Sequence, residues 1–275
     1  MQVYGLLGNP VSHSLSPPMH EAAYETLDID ARYVTFEPDP EALEAAIGGA
    51  DALGLAGLNV TVPFKEAACE SSLVAVDDVA ARIGAVNTIN FAGRPTGHNT
   101  DASGALRALD EHDFAVSGAR AVVVGAGGAG RAIAFGLADG GADVAVANRT
   151  ASRAHDLADD VPGAGGYGLE AVPTLLEGAD LLVNATSVGM EEDASPVAAE
   201  ALHGDLAVMD AVYRPLETRL LREAAASGAT TIDGAWMLLY QGVEALELWT
   251  GREAPVEAMN AALRGRLRAD STNPL

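Results

Sequence analysis

The stretch Ala121-Val122-Val123-Val124 runs directly into Gly125-Ala126-Gly127-Gly128-Ala129-Gly130, and an alanine-rich helical segment from Arg131 to Ala138 follows. An apolar strand, a G-x-G-x-x-G turn and a helix in that order open a βαβ unit that holds a dinucleotide. The first glycine makes the tight turn, the second lets backbone approach a pyrophosphate, and the third lets helix and strand pack closely. The helix start offers free N–H groups and a positive dipole end to phosphates. A plain glycine-rich turn is the bland alternative, and the flanking strand and helix argue against it.

The next strand, Asp143-Val144-Ala145-Val146-Ala147, ends on Asn148-Arg149-Thr150, with Arg153 one turn further on. An NAD site places Asp or Glu about 20 residues past the loop, on the ribose 2′-hydroxyl. Here no carboxylate stands there. A guanidinium grips a 2′-phosphate with paired hydrogen bonds, whereas a carboxylate repels it. Arg131, Arg149 and Arg153 fall within this one unit, and their clustering points to an anion. NADP is therefore the expected cofactor. The competing explanation is that Arg149 and Arg153 pair with Asp156 or Asp159 on the following helix.

Around this unit, strand-like and helix-like runs alternate, the mark of an α/β fold with parallel sheets. Strands are expected at 2–8, 31–36, 55–60, 85–91, 180–184, 206–210 and 229–232. Helices are expected at 16–27, 39–49, from Pro63, near 77–83 and at 102–115. Residues 235–249 and 255–267 have helical periodicity, and Trp236, Met237, Leu239, Leu246 and Trp249 need a surface to cover. The simplest architecture is an N-terminal α/β domain (1–101 with 236–275), with a Rossmann domain (102–235) inserted before C-terminal helices that return to it. The polar tail from Ala269 is expected to fray.

Composition excludes several partners. The formal net charge is −23, from 39 acidic and 16 basic residues. Nucleic acid and anionic membrane surfaces are polyanions and are excluded on that ground. The acidic residues are spread along the chain, which fits a salt-rich cytoplasm where the Debye length shrinks to about 3 Å. No apolar run is long enough to span a bilayer, and the N-terminus lacks the pattern of a secretory signal. A cytoplasmic location follows. Cys69 is the single cysteine, so no intramolecular disulfide forms, and it reads as a small core residue. No His, Cys and carboxylate spacing suits a metal. Lys65 is the only lysine in the chain.

The remaining chemistry lies in four polar motifs: G-N-P-V-S-H-S-L-S-P at 8–17, N-V-T-V-P-F-K at 59–65, G-A-V-N-T at 84–88 and G-H-N-T-D at 97–101. In an open sheet, ligands bind beyond the carboxyl ends of strands. The motifs bring one lysine, one aspartate and several amides and hydroxyls to such ends. Each alone is also readable as a capped turn, with Ser16 as an N-cap. His13 reads as a hydrogen-bonding brace of the first motif. His98, His155 and His203 read as exposed.

At this point the chain resembles the shikimate dehydrogenases. The four motifs are joined by G-A-G-G-A-G-R at 125–131, N-R-T-x-S-R at 148–153, N-A-T-S-V-G-M at 184–190, D-A-V-Y-R-P at 210–215 and G-A-W-M-L-L-Y-Q at 234–241. The resemblance covers nearly the whole chain. It implies reversible NADPH-dependent reduction of 3-dehydroshikimate to shikimate, a step toward aromatic amino acids. It further implies Lys65 and Asp101 as the catalytic pair, and Ser14, Ser16, Asn59, Thr61, Asn87, Tyr213 and Gln241 as shikimate contacts. The implied NADP site is Gly125, Ala126, Gly127, Gly128, Ala129, Gly130, Asn148, Arg149, Thr150 and Arg153, with Met209 and Gly234 at the nicotinamide end. Two positions depart from the family: Glu21, where Asn is frequent, and Gly130, where Ala or Ser is common and the phosphate loop is expected to be unaffected.

A free lysine titrates at about 10.4, so a protonated Lys65 suits donation to a carbonyl and stabilisation of the alkoxide. Asp101 would orient it. Two alternatives stay open: a quinate/shikimate dehydrogenase of broader specificity, and a non-catalytic NADP-binding sensor. The expected partners are small molecules. The sequence leaves the oligomeric state open, a homodimer included.

Overall fold

The computed structural model describes residues 1–272 and resolves two compact units: Met1–Thr100 with the chain from Gln241 onward, and Asp101–Tyr240. The first unit runs β1 (Gln2–Leu7), α1 (Ser16–Thr26), β2 (Ala31–Phe36), α2 (Leu43–Ala52), β3 (Gly57–Val60), α3 (Lys65–Glu70), β4 (Ala75–Val76), α4 (Asp78–Ile83), β5 (Thr88–Asn90) and β6 (Thr96–His98). Its sheet has the order β2-β1-β3-β5-β6-β4. β1 is parallel to β2 and β3, while β5 runs antiparallel to both β3 and β6. The register sets Asn59 opposite Thr88 and Thr88 opposite His98. The C-terminal ends of β3 and β6 and the N-terminal start of β5 therefore share one edge of the sheet, and three of the polar motifs meet there.

The local signals explain several boundaries. Asp77 caps α4 by accepting the Ala80 N–H at 2.7 Å, and Gly84 closes it at φ +74°. Such caps are worth about 1 kcal/mol. β3 is buried at every position, as a strand covered on both faces must be.

The second unit runs α5 (Thr100–Asp110), β7 (Arg120–Val124), α6 (Gly128–Asp139), β8 (Asp143–Asn148), α7 (Ala151–Asp160), β9 (Gly165–Gly168), α8 (Val172–Leu176), β10 (Leu181–Asn184), β11 (Ala207–Asp210), α9 (Arg219–Ser227) and β12 (Thr230–Ile232). All its strands are parallel, in the order β12-β11-β10-β7-β8-β9. Counted within the unit this is 3-2-1-4-5-6 read from the β9 side, the doubly wound dinucleotide-binding order. Its topological switch point lies between β7 and β10. Val122, Val124, Leu182, Val208, Leu220 and Leu221 are among the residues of its core.

α10 (Gly234–Thr250) and α11 (Val256–Thr272) complete the chain. α11 packs on α1. Trp249 of α10 lies over the first sheet, donating from Nε1 to the Ile89 carbonyl at 3.0 Å with its ring centroid 5.0 Å from that of Tyr4. A Cβ on Gly57 would stand 2.3 Å from that indole nitrogen, which explains the glycine there. The C-terminal helix pair thus returns to the N-terminal unit, as the apolar pattern required. No helix among the described residues is long and apolar enough to cross a membrane.

Some expected elements differ. The helix expected over 102–115 stops at Asp110, and Asp113 takes the left-handed conformation at φ 56°. Aspartate tolerates that region, and the Phe114 N–H returns to the Leu109 carbonyl at 3.1 Å. The tail expected to fray from Ala269 is helical to Thr272, and 273–275 lie outside the described residues.

Candidate active site

In the first unit, Asn59 and Asn87 meet at the shared strand edge. Asn59 ends β3 and is 4 % exposed, and Asn87 precedes β5 at 2 %. Such buried amides persist only with partners, and theirs form one network. The Tyr33 hydroxyl donates to Asn59 Oδ1 at 2.7 Å. Asn59 Nδ2 donates to Thr88 Oγ1 at 3.1 Å and to the Asn87 carbonyl at 3.4 Å. Asn87 Oδ1 accepts the Thr100 N–H at 2.8 Å and the Thr88 hydroxyl at 3.0 Å, and Asn87 Nδ2 donates to Thr100 Oγ1 at 3.1 Å. Asn87 lies at a strand start rather than a strand end, because β5 runs antiparallel.

Lys65 is the first residue of α3, and its carbonyl accepts the Val86 N–H at 2.9 Å, which pins that helix start next to Val86 and Asn87. Thr61 follows β3 directly and is half-buried. Ser16 is not a cap. It is the first helical residue of α1, Leu15 occupies the N-cap position, and the Ser14 hydroxyl accepts the Ser16 N–H at 3.2 Å. Gln241 lies within α10 and is half-buried.

The histidines depart from expectation. His13 is exposed and bonds to nothing among the described residues, so it does not brace its motif. His98 is half-buried, with Nδ1 2.6 Å from Asp77 and Nε2 2.9 Å from Thr96 Oγ1. Burial alone would raise the Asp77 carboxyl, yet its bonds to His98 and Ala80 hold it below its ordinary value. His203 is also half-buried, its Nε2 2.9 Å from the Leu176 carbonyl, and of the three only His155 is exposed. His20, fully buried, stacks on Tyr33 at 4.4 Å between centroids and 2° between planes.

In the second unit, the glycine loop leaves β7 at the switch point. Gly125 has φ +116°, and a Cβ there would meet the Ala185 carbonyl oxygen at 2.8 Å. A Cβ on Gly130 would fall 1.9 Å from the Gly125 carbonyl oxygen. Glycine at 130 thus suits this loop, and an alanine there would press on its backbone. Gly127 and Gly128 have nothing within 4 Å of a built Cβ. Neither packing nor φ demands glycine at Gly127, at φ −90°, so the missing side chain leaves the start of α6 open to a ligand. Gly127 also provides no side-chain cap to that twelve-residue helix. This is the cradle a pyrophosphate fits.

Asn148 braces the loop. Its Oδ1 accepts the Ala126 N–H at 3.3 Å and its Nδ2 donates to the Thr150 carbonyl at 3.0 Å. Arg149, Thr150 and Arg153 are exposed just beyond β8. Among the described residues neither Arg149 nor Arg153 pairs with Asp156 or Asp159, which removes the structural explanation for them. Arg131 does not share that freedom, since its guanidinium lies 2.8 Å from Asp160.

Met209 is buried in β11, and half-buried Tyr213 follows that strand. Gly234 opens α10, where a Cβ would stand 2.5 Å from the Val212 carbonyl. The close approach of α10 to the loop after β11 thus requires glycine. A network not singled out from sequence holds these loops. Asp210, fully buried, accepts from Asn184 Nδ2 at 2.9 Å, from the Val212 N–H at 3.0 Å and from the Thr218 hydroxyl at 2.6 Å. Burial pushes its carboxyl up, against those hydrogen bonds. Thr218 in turn caps α9.

A doubly wound parallel sheet with an open glycine cradle and exposed arginines past its second strand, joined in one chain to a polar-mouthed α/β unit, defines a dinucleotide-dependent oxidoreductase. Comparison with known proteins narrows the class. Residues 6–89 match the shikimate dehydrogenase substrate binding domain, 108–192 match shikimate / quinate 5-dehydrogenase, and 234–264 match the shikimate 5′-dehydrogenase C-terminal domain. The NADP(+) shikimate dehydrogenase of Halorubrum lacusprofundi is 69 % identical, over 97 % of this chain and 100 % of its own. The Thermus thermophilus shikimate 5-dehydrogenase structure, in complex with NADP(H) and shikimate, superposes with a TM-score of 0.90 at 43 % identity, over 97 % of this chain and 100 % of that one. Quinate dehydrogenase from Corynebacterium glutamicum, in complex with NAD, shares the fold at 34 % identity and a TM-score of 0.88, over 96 % and 99 % of the two chains. The chain belongs to the shikimate dehydrogenase family.

Proposed function

We propose that this protein reduces 3-dehydroshikimate to shikimate with NADPH, reversibly, and that Lys65 and Asp101 are its catalytic pair. The observation that carries the reading is the placement of the chain's only lysine at the start of α3, beside the buried Asn59–Asn87 network. NADPH supplies the hydride. Protonated Lys65 donates a proton to the carbonyl oxygen as it becomes an alkoxide, and its charge stabilises that oxygen meanwhile. Asp101 orients the ammonium and shares the proton with it, returning one to the Lys65 amine after the transfer. In the reverse direction Lys65 takes the hydroxyl proton.

Ser14 and Ser16 hold the shikimate carboxylate, and Asn59, Thr61, Asn87, Tyr213 and Gln241 hold its remaining polar groups. The backbone from Gly125 to Gly130 holds the pyrophosphate. Arg149, Thr150 and Arg153 hold the 2′-phosphate, Asn148 sets the loop, and Met209 and Gly234 line the nicotinamide end. The substrate domain comprises 1–101 with 236–275 and the NADP domain 102–235. The enzyme works in a salt-rich cytoplasm, as a homodimer. Initial rates in molar KCl with shikimate or quinate, each with NADP or NAD, test the reading. Shikimate with NADP is expected to be the preferred pair, and preference for quinate with NAD would overturn it. Light scattering tests the dimer.

A further inference from the structure

We propose that Tyr33 is a positioning residue that sets the hydrogen-bond polarity at the mouth of the first sheet, so that Asn59 presents an acceptor and Asn87 a donor to the substrate. The inference rests on the reading that both amides touch shikimate. It adds a residue outside that set and a direction for each bond.

Tyr33 is an inward-facing residue of β2, 5 % exposed, on a strand whose last three residues are exposed. Four residues hold it. Its N–H donates to Glu21 Oε1 at 2.6 Å, its ring lies flat on His20, and its hydroxyl meets both Ser16 and Asn59. Both His20 ring nitrogens are buried without a partner among the described residues, so that ring serves Tyr33 as an apolar plate.

Proton counting then fixes the rest. A phenol has one proton, and it goes to Asn59 Oδ1. An amide NH2 has two, and both go to protein acceptors, Thr88 Oγ1 and the Asn87 carbonyl. Turning the Asn59 amide over would set its oxygen against the Asn87 carbonyl oxygen. Asn59 therefore retains one lone pair on Oδ1 and no spare hydrogen. At Asn87 the count is opposite. Its oxygen already accepts from the Thr100 N–H and the Thr88 hydroxyl, and among the described residues only one of its two amide hydrogens is used, on Thr100 Oγ1. One N–H remains. The mouth thus selects a ring hydroxyl that donates to Asn59 and a ring oxygen that accepts from Asn87.

The test uses shikimate and analogues in which one non-reacting ring hydroxyl is replaced by fluorine, which accepts but cannot donate. The wild-type enzyme is expected to reject the analogue whose fluorine faces Asn59. Tyr33→Phe keeps the ring stacked on His20 and frees the amide to turn. Its KM for shikimate should rise about tenfold, the worth of one hydrogen bond, and its discrimination against that analogue should shrink, with the NADP KM unchanged. Thr88→Val, which removes the other end of the chain of bonds, should relax the same discrimination and serves if Tyr33→Phe folds poorly. Wild-type discrimination in both folded variants would overturn the proposal. Asn59→Ala separates the two levels. An unchanged shikimate KM there would remove the reading underneath. A raised KM there, beside wild-type discrimination in Tyr33→Phe, would overturn the positioning role alone.

Discussion

Arg131 Nη1 and Asp160 Oδ2 lie 2.8 Å apart, joining the first turn of α6 to the last residue of α7. The pair takes Arg131 out of the arginine cluster that the sequence presents, and under the proposed function the 2′-phosphate falls to Arg149 and Arg153. Arg149→Glu should therefore raise the NADPH KM about 10- to 100-fold, the worth of a charge-assisted bond, and move the NADH KM far less. Arg131→Gln should change both cofactors' KM values alike and only slightly. Equal effects of Arg149→Glu on NADPH and NADH would count against the assignment.

The phosphate loop yields a second expectation. Gly125 is held by its positive φ and by the Ala185 carbonyl, so it cannot retreat from a side chain at 130. Gly130→Ala should deform the loop at a cost of about 1–3 kcal/mol, as overpacking does, lowering the melting temperature and raising the NADPH KM. A variant with wild-type melting and NADPH KM would show that the loop relaxes freely.

His20 makes acid stability measurable at one residue. Burial lowers its pKa to about 3, against about 6.5 in an unfolded chain. Below the unfolded value the unfolded chain binds a proton that the folded one refuses. The stabilisation is thus whole above that pH and is lost as pH falls toward the folded value, by at most about 1.4 kcal/mol per pH unit. His20→Phe keeps an aromatic plate against Tyr33 and does not titrate. Denaturant titrations between pH 6.5 and 4.5 should show a shallower loss in the variant, and identical slopes would mean that His20 is protonated in the folded protein.

The charge of −23 implies strong self-repulsion in dilute buffer. Raising salt from 0.1 M to 1 M cuts the Debye length from about 10 Å to about 3 Å. The melting temperature should climb steadily with KCl over that range. A flat curve would remove the case for a salt-adapted surface.

The parts legible in the sequence are those whose signals are local. Ala121–Val124, the glycine loop and α6 are contiguous, and each constrains the next. The polar motifs are readable as strand-end chemistry because Asn59, Thr61 and Lys65 follow an apolar run. Other parts depend on pairing. β6 is Thr96-Gly97-His98, a weak strand on its own that β4 and β5 complete from either side. α9 has a threonine cap and a glycine stop, but its apolar face is only Leu220, Leu221 and Ala224. Tyr33 shows inward parity in β2, yet its partner Asn59 lies beyond β1 in the sheet order, which no spacing reveals. Asp210 and Asn184 likewise stand in the sequence only as motif letters, since the bond between them comes from the pairing of β10 with β11.

The proposed role of Lys65 is tested most directly by kinetics of Lys65→Ala in molar KCl, with NADPH binding followed separately by fluorescence titration. Loss of a positioned proton donor should lower kcat for shikimate oxidation and 3-dehydroshikimate reduction about 10²- to 10⁴-fold, with NADPH affinity unchanged. A kcat near that of the wild-type enzyme would contradict Lys65 as the proton donor.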